Sequence, residues 1–295
     1  MIKILKEHFL KLGFKEKSYT PFSNGMSCCE DAKTAYRIKS QHNDIISFLP
    51  QTRQMDMELD VRNGIESKLF TCDWSHRDEP RSGDGRHENM FQLMEYEFLS
   101  DFLTPENRLK ELLLFNWSIL NQLQSGVPLR VVPYMQVLYD AQNEGIINNV
   151  VYGMDISPDI EIFAINKYGD GVSPIMIHTY PEVLCHFTMA KSPIEHTEYW
   201  RFNELDFSDK PFCQKVDVIV PRGGEAMGTA VRSTDPDYLK KRLYDSDMYS
   251  GLLKLGMKPE AFDKYINSDL TVPTIGGGIG IKRMKKWIDG EIKTE

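Results

Sequence analysis

The feature that most constrains folding here is a pair of strand-like runs, residues 68–74 and 90–98, with Arg81-Ser82-Gly83-Asp84-Gly85 between them. Two such runs joined by a polar, glycine-bearing stretch predict an antiparallel hairpin. Side chains of one parity share a face of a strand. Phe91, Leu93, Glu95 and Glu97 are therefore expected on one face of the return strand, and Arg77 and Glu79 together on the outgoing one. A second constraint lies near the C-terminal end, in Gly276-Gly277-Gly278-Ile279-Gly280-Ile281-Lys282-Arg283. Glycines there let backbone approach a ligand or a neighbouring strand closely. Ile281, Met284, Trp287 and Ile288 then recur at helical spacing. The segment is neither the G-x-G-x-x-G of dinucleotide folds nor a P-loop, which needs G-K-[ST].

The remaining elements read less sharply. Ile2, Leu5, Phe9 and Leu12 share one side of an expected helix over residues 1–12, with Gly13 as its C-cap. Short strands are expected at 36–38 and 45–49. Thr104-Pro105 opens a helix carrying Leu109, Leu112, Leu113, Ile119, Leu120 and Leu123. Asp235-Pro236 opens another, closing near Gly256. Residues 160–165 and 216–220 read as strands. Helices alternate irregularly with strands, several of them paired as hairpins. This predicts an α+β fold with a mostly antiparallel sheet, not a Rossmann fold.

Composition excludes several classes. The 295 residues, 41% hydrophobic and 26% charged, suit one globular catalytic domain over 1–295. No apolar run approaches the roughly 20 residues that span a bilayer. The N-terminus lacks a signal-peptide core. Five cysteines include no C-x-x-C pair, which fits reduced thiols and a cytoplasmic protein. No H-x-x-x-H pair marks a zinc site. A net charge of −8 argues against a nucleic-acid partner. The one dense basic cluster, Lys282, Arg283, Lys285 and Lys286, reads as a solvated helix face.

An arginine on the hairpin face can clamp a phosphate in two-pronged fashion. A glutamate there can accept from an adenine amino group, and a phenyl ring can stack on the base. The competing reading is an exposed sheet face with cross-strand ion pairs.

Taken together, the segment Ser75-His76-Arg77-Asp78-Glu79 … Arg86-His87-Glu88-Asn89-Met90-Phe91 and the glycine-rich segment ending in Arg283 resemble motifs 2 and 3 of the class II aminoacyl-tRNA synthetase catalytic domain. Leu12-Gly13-Phe14 with Thr20-Pro21 resembles motif 1. Asp217-Val218 … Gly224-Glu225-Ala226-Met227-Gly228-Thr229-Ala230-Val231-Arg232 is similar to a stretch of the aspartyl and asparaginyl branch, as is Tyr180-Pro181 with Phe187 and Met189. The resemblance implies that Arg77 holds the α-phosphate, Glu79 meets the adenine amino group and Phe91 stacks on the base. Arg86, His87 and Arg283 would take the outer phosphates. Asp217 and Glu225 would hold Mg²⁺. Glu95 would anchor the substrate ammonium group, and Arg232 would read its side chain. Gln51 and Gln54 fall in the substrate-binding region. Arg77 and Arg283 would be catalytic.

The resemblance further implies ATP as co-substrate, an amino acid substrate, and a homodimer, the role of motif 1. Two departures stand out: Lys282 replaces a glutamate, and Thr274-Ile275 stand where the asparaginyl branch has His-Gly. No anticodon-binding domain is expected within 1–295. A catalytic domain of this layout resembles the archaeal-type asparagine synthetase related to these enzymes. The leading expectation is thus adenylation of aspartate or an analogue, with acyl transfer to ammonia or another amine and no tRNA. Two alternatives stay open: a minimal enzyme charging tRNA, and an inactive nucleotide-binding paralogue.

Overall fold

The computed structural model describes residues 1–28, 30–42, 46–80, 82, 87–192, 201–202, 205–207 and 209–290. In chain order the elements are α1 (Ile2–Lys11), β1 (Lys15–Glu16), β2 (Arg37–Lys39), β3 (Ile46–Phe48), α2 (Gln54–Arg62), β4 (Lys68–His76), β5 (Met90–Leu99) and α3 (Pro105–Leu123). There follow β6 (Val131–Pro133), α4 (Tyr134–Asn143), α5 (Pro158–Tyr168), β7 (Ile175–Pro181), β8 (Arg201–Phe202), β9 (Leu205–Asp206), β10 (Phe212–Val220) and β11 (Gly224–Val231). The chain closes with α6 (Pro236–Tyr244), α7 (Asp247–Lys254), α8 (Asp263–Ile266), β12 (Thr274–Gly280) and α9 (Ile281–Asp289). Strand pairing is mostly antiparallel and helices flank the strands, the α+β class that the sequence predicts.

The chain forms two compact units. One comprises Phe9–Leu99 and Arg232–Ile281. Its strands run in the order β1-β4-β5-β12, antiparallel except for the short β1 against β4. The β4–β5 hairpin pairs without a slip from Lys68↔Phe98 to His76↔Met90. An aromatic cluster fills one side: Phe9 stacks on Phe70 at 5.2 Å, and Phe14 meets Tyr96 and Phe98 edge-on. Interlocked rings of this kind bury large apolar area and fix the hairpin's face.

The other unit comprises Met1–His8, Ser100–Val231 and Lys282–Glu295. Its strand order is β11-β10-β7-β6, with only β6 and β7 parallel. Helices α4 and α5 cover β7 through Tyr134, Leu138, Ile160, Ala164, Ile177 and Tyr180, all fully or almost fully buried.

Several expectations need correction. Residues 160–165 are not a strand but the middle of α5. Ser157 accepts from the Ile160 N–H as N-cap, Pro158 stands at N1, and Asp159 and Glu161 occupy the first turn. That start signal outweighs the β-branched run. The helix opened at Asp235 is two helices, because the Ser246 hydroxyl caps a new start by accepting from the Tyr249 N–H. Leu12 lies past the end of α1 and is 38% exposed, while Gly13 takes φ +83° as the expected helix stop. The glycine-rich segment lies in a strand, Thr274–Gly280, buried except at Gly280. Among the described residues no helix is long and apolar enough to cross a membrane.

Candidate active site

In the first unit, β4 ends at His76, so the parity argument does not carry to Glu79. The Arg77 N–H continues the ladder to the Asn89 carbonyl at 2.9 Å. The chain then turns, and the Glu79 N–H donates to Arg77 O and to Asn89 Oδ1. Turn geometry, not strand parity, keeps Glu79 at the hairpin end beside Arg77. The Arg77 guanidinium lies over the Phe91 ring, 5.3 Å from its centroid, with Glu30 3.6 Å away. Its Nε is buried without a hydrogen-bond partner. A guanidinium seated on an aromatic face with a donor unspent is placed to receive an anion. His87 is half-buried where the chain returns to β5. Arg86, like Arg81, Gly83, Asp84 and Gly85, lies outside the described residues.

Farther along β5, Glu95 is buried. It accepts from the Thr52 hydroxyl, from the Arg53 N–H at 2.8 Å and from the Gln54 amide at 3.4 Å. Burial pushes its carboxyl up to about 7, against these hydrogen bonds. Glu97, two residues on and on the same face, is fully buried. It takes two bonds from Arg232, whose Nη2 also donates to Gln54 Oε1 at 2.7 Å. Gln54 therefore joins Glu95 to Arg232. Opposite stand the glycines of β12, with Gly276 facing Glu97 and Gly278 facing Glu95. A Cβ on Gly276 would overlap the Glu97 carboxylate. Gly276 thus makes room for the buried Glu97 carboxylate, while a Cβ on Gly278 would make only ordinary contact with Glu95 and Gln54.

Gln51 is held within its own unit. Its amide oxygen accepts from the Glu30 and Asp31 N–H groups, and its amide nitrogen donates to Asp31 O and Thr34 Oγ1. All four hydrogen-bonding positions of the side chain are used in clasping residues 30–34.

Sequence reasoning missed the charge that completes this cluster. Glu58 and Arg62 pair at 2.8 Å with almost no exposure, Tyr265 donates to Glu58, and Glu58 lies 3.7 Å from Arg232. The i, i+4 spacing of Glu58 and Arg62 was a legible signal, but it looks the same on a solvated helix.

The second unit holds Asp217, Glu225 and Arg283. Asp217 faces Gly228 across the β10–β11 ladder. A Cβ on Gly228 would stand 3.3 Å from Glu225 Oε1 and 3.8 Å from Asp217 Oδ1, so both oxygens converge on one small space. Asp217 Oδ1 is buried and makes no hydrogen bond of ordinary geometry. Its other oxygen bonds Lys215 at 2.8 Å. Burial pushes the Asp217 carboxyl up to about 7, with Lys215 opposing and Glu225 adding to the rise. Arg283 donates to the Glu225 carbonyl at 2.6 Å. The β10–β11 turn, with Arg222 at φ +63°, brings Gly223 so near α9 that a Cβ there would overlap the Arg283 carbonyl. This close packing explains why Arg283 and Glu225 meet.

Two carboxylates and an orphaned oxygen fit a Mg²⁺ ion that takes its other ligands from water and phosphate, as Mg²⁺ commonly does. Among the described residues no group of three or more His, Cys, Asp or Glu side chains is placed to hold a metal alone.

The family model for class II tRNA synthetases (D, K and N) matches residues 1–293. The chain belongs to that family. It is 27% identical to an asparagine-tRNA ligase of Buchnera aphidicola over 276 residues, 83% of this chain and 52% of the relative. In fold it resembles the asparaginyl-tRNA synthetase of Pyrococcus horikoshii solved with asparaginyl-adenylate. That match has TM-score 0.71 and 22% identity, and covers 97% of this chain and 63% of the other. The Entamoeba histolytica asparaginyl-tRNA synthetase, also solved with asparaginyl-adenylate, gives TM-score 0.69 at 19% identity, over 98% and 62%. The chain spans about half the length of the Buchnera relative and under two thirds of the two solved chains. The expectation that tRNA is not a partner is not supported, since these relatives carry the names of tRNA ligases. Net charge sums over the whole surface and does not report on one face.

Proposed function

We propose that this chain uses ATP to activate the carboxylate of asparagine, or of a close analogue such as aspartate, and passes the acyl group to tRNA. What carries this reading is the family match over residues 1–293, joined to the names of the relatives. The ammonia-transferring reading drew on layout alone, and no observation favours it over tRNA.

The residues divide the work. A carboxylate oxygen of the substrate attacks the α-phosphorus, and the bond to pyrophosphate breaks. Arg77 meets charge growing on the α-phosphate oxygens, while its Phe91 platform stacks the adenine and Glu79 accepts from the adenine amino group. Arg283, His87 and Arg86 hold the departing pyrophosphate. Asp217 and Glu225 would hold Mg²⁺, whose charge would offset that of the phosphates. A tRNA hydroxyl then attacks the acyl carbon, and AMP leaves. No covalent enzyme intermediate is needed; positioning and electrostatics suffice.

Glu95 faces the substrate ammonium group, and Arg232 with Gln54 its side chain. Arg232 is already balanced by Glu97. A neutral amide suits this cluster better than a further carboxylate beside Glu58, Glu95 and Glu97, so asparagine stands ahead of aspartate. The resemblance to motif 1 assigns the working form as a homodimer.

The test is ATP–pyrophosphate exchange with asparagine and aspartate in turn, then acylation of total tRNA. Exchange with asparagine that falls about 10²–10³-fold in Arg77→Ala is expected. Nucleotide binding without exchange would instead support the inactive paralogue, and exchange without tRNA acylation would return the acceptor to a free amine.

A further inference from the structure

Lys215 has no part in the reaction as drawn above, yet it is built into the carboxylate pair. It lies two residues from Asp217 on β10, where side chains of one parity share a face. Its ammonium is 2.8 Å from Asp217 Oδ2 and 4.4 Å from the centroid of the Tyr180 ring. The lysine side chain is 19% exposed and that of Asp217 5%. An ammonium held between a carboxylate and an aromatic face is fixed from two directions. The result is asymmetric. One oxygen of Asp217 is occupied by an internal cation. The other is buried, makes no hydrogen bond of ordinary geometry although the Tyr180 hydroxyl faces this carboxylate, and converges with Glu225 Oε1 over Gly228.

Charge points the same way. Two carboxylates alone carry two negative charges, which favour a bare divalent cation. With Lys215 the cluster carries one. A divalent cation bound to a triphosphate is itself anionic, so the lysine lowers the repulsion that such a complex meets.

We propose that Lys215 is a positioning residue. It holds Asp217 by Oδ2 so that Oδ1 turns, with Glu225, toward a divalent cation, and it trims the pair's charge so that the cation is accepted together with nucleotide phosphates. The proposal rests on the ATP-dependent reading for its ligand, but its test needs no turnover.

The experiment uses the full chain as wild type, K215M, K215Q and K215R. Binding of Mn²⁺ with a non-hydrolysable ATP analogue is followed by the electron paramagnetic resonance of free Mn²⁺, and thermal melts check folding. Methionine keeps the length without charge, glutamine keeps a donor without charge, and arginine keeps the charge. K215M should weaken binding about tenfold or more, K215Q less, and K215R should stay within about threefold of wild type, the range typical of groups that orient metal ligands. A folded K215M or K215Q that binds as wild type does would overturn the proposal. So would a folded K215R that binds no better than K215M, because charge would then not be what matters. Wild type that binds the complex but supports no exchange would sink the enzymatic reading alone.

Discussion

Glu95 and Asp217 are acids that burial pushes up to about 7; hydrogen bonds at Glu95, and Lys215 at Asp217, oppose the shift without cancelling it. For Glu95 the consequence can be read from stability. Its folded pKa stands above the ordinary 4.5. The folded state therefore binds the proton more tightly than the unfolded one. That contribution is fully present below about 4.5 and is lost as pH rises through about 7. Glu95→Gln is neutral throughout. Its unfolding free energy, from urea denaturation at each pH, should fall less steeply across that window than that of wild type, by a margin on the order of 3 kcal/mol. Parallel slopes for the two proteins would show that Glu95 has an ordinary pKa. The glutamates of β5 were legible as residues of one face, and Arg77 as their neighbour in the hairpin. Glu97 was legible only as a face-mate of Glu95. Its engagement by Arg232, 135 residues away, has no local signature.

The glycines of β12 show how an element can be written for its neighbour. Gly276 carries no side chain because the opposite strand places the Glu97 carboxylate in that space. Gly276→Ala should push the Glu97 carboxylate off Arg232 and cost about 1–3 kcal/mol, the usual range for overpacking a buried site. Urea denaturation measures this directly, and an unchanged midpoint would mean that Glu97 has another place to go. Helix α5 makes the opposite point. Its isoleucines and phenylalanine suggest a strand, but Ser157-Pro158 sets the first turn, and Ile160, Ala164 and Ile165 then fall into the core shared with β7 and β10. Element type was decided by Ser157 and Pro158 at the start, not by residues 160–165.

For the molecule as a whole, the resemblance to motif 1 predicts a homodimer. Sedimentation equilibrium at micromolar concentration should return twice the chain mass of 34.1 kDa, and a single monomeric species would refute it. The α+β class and the β4–β5 hairpin could be read from order and spacing, because strand parity, caps and glycine placement are local rules, whereas most candidate residues were named by the resemblance to the class II family. Local rules also explain the errors, since they do not say where a strand stops or whether a charged side chain faces water. That Gln51 is consumed by residues 30–34, that Glu58 and Arg62 complete a buried charge cluster, and that Lys215 takes one oxygen of Asp217 were settled only by tertiary structure. Each depends on burial, and burial depends on which distant segments close over a side chain.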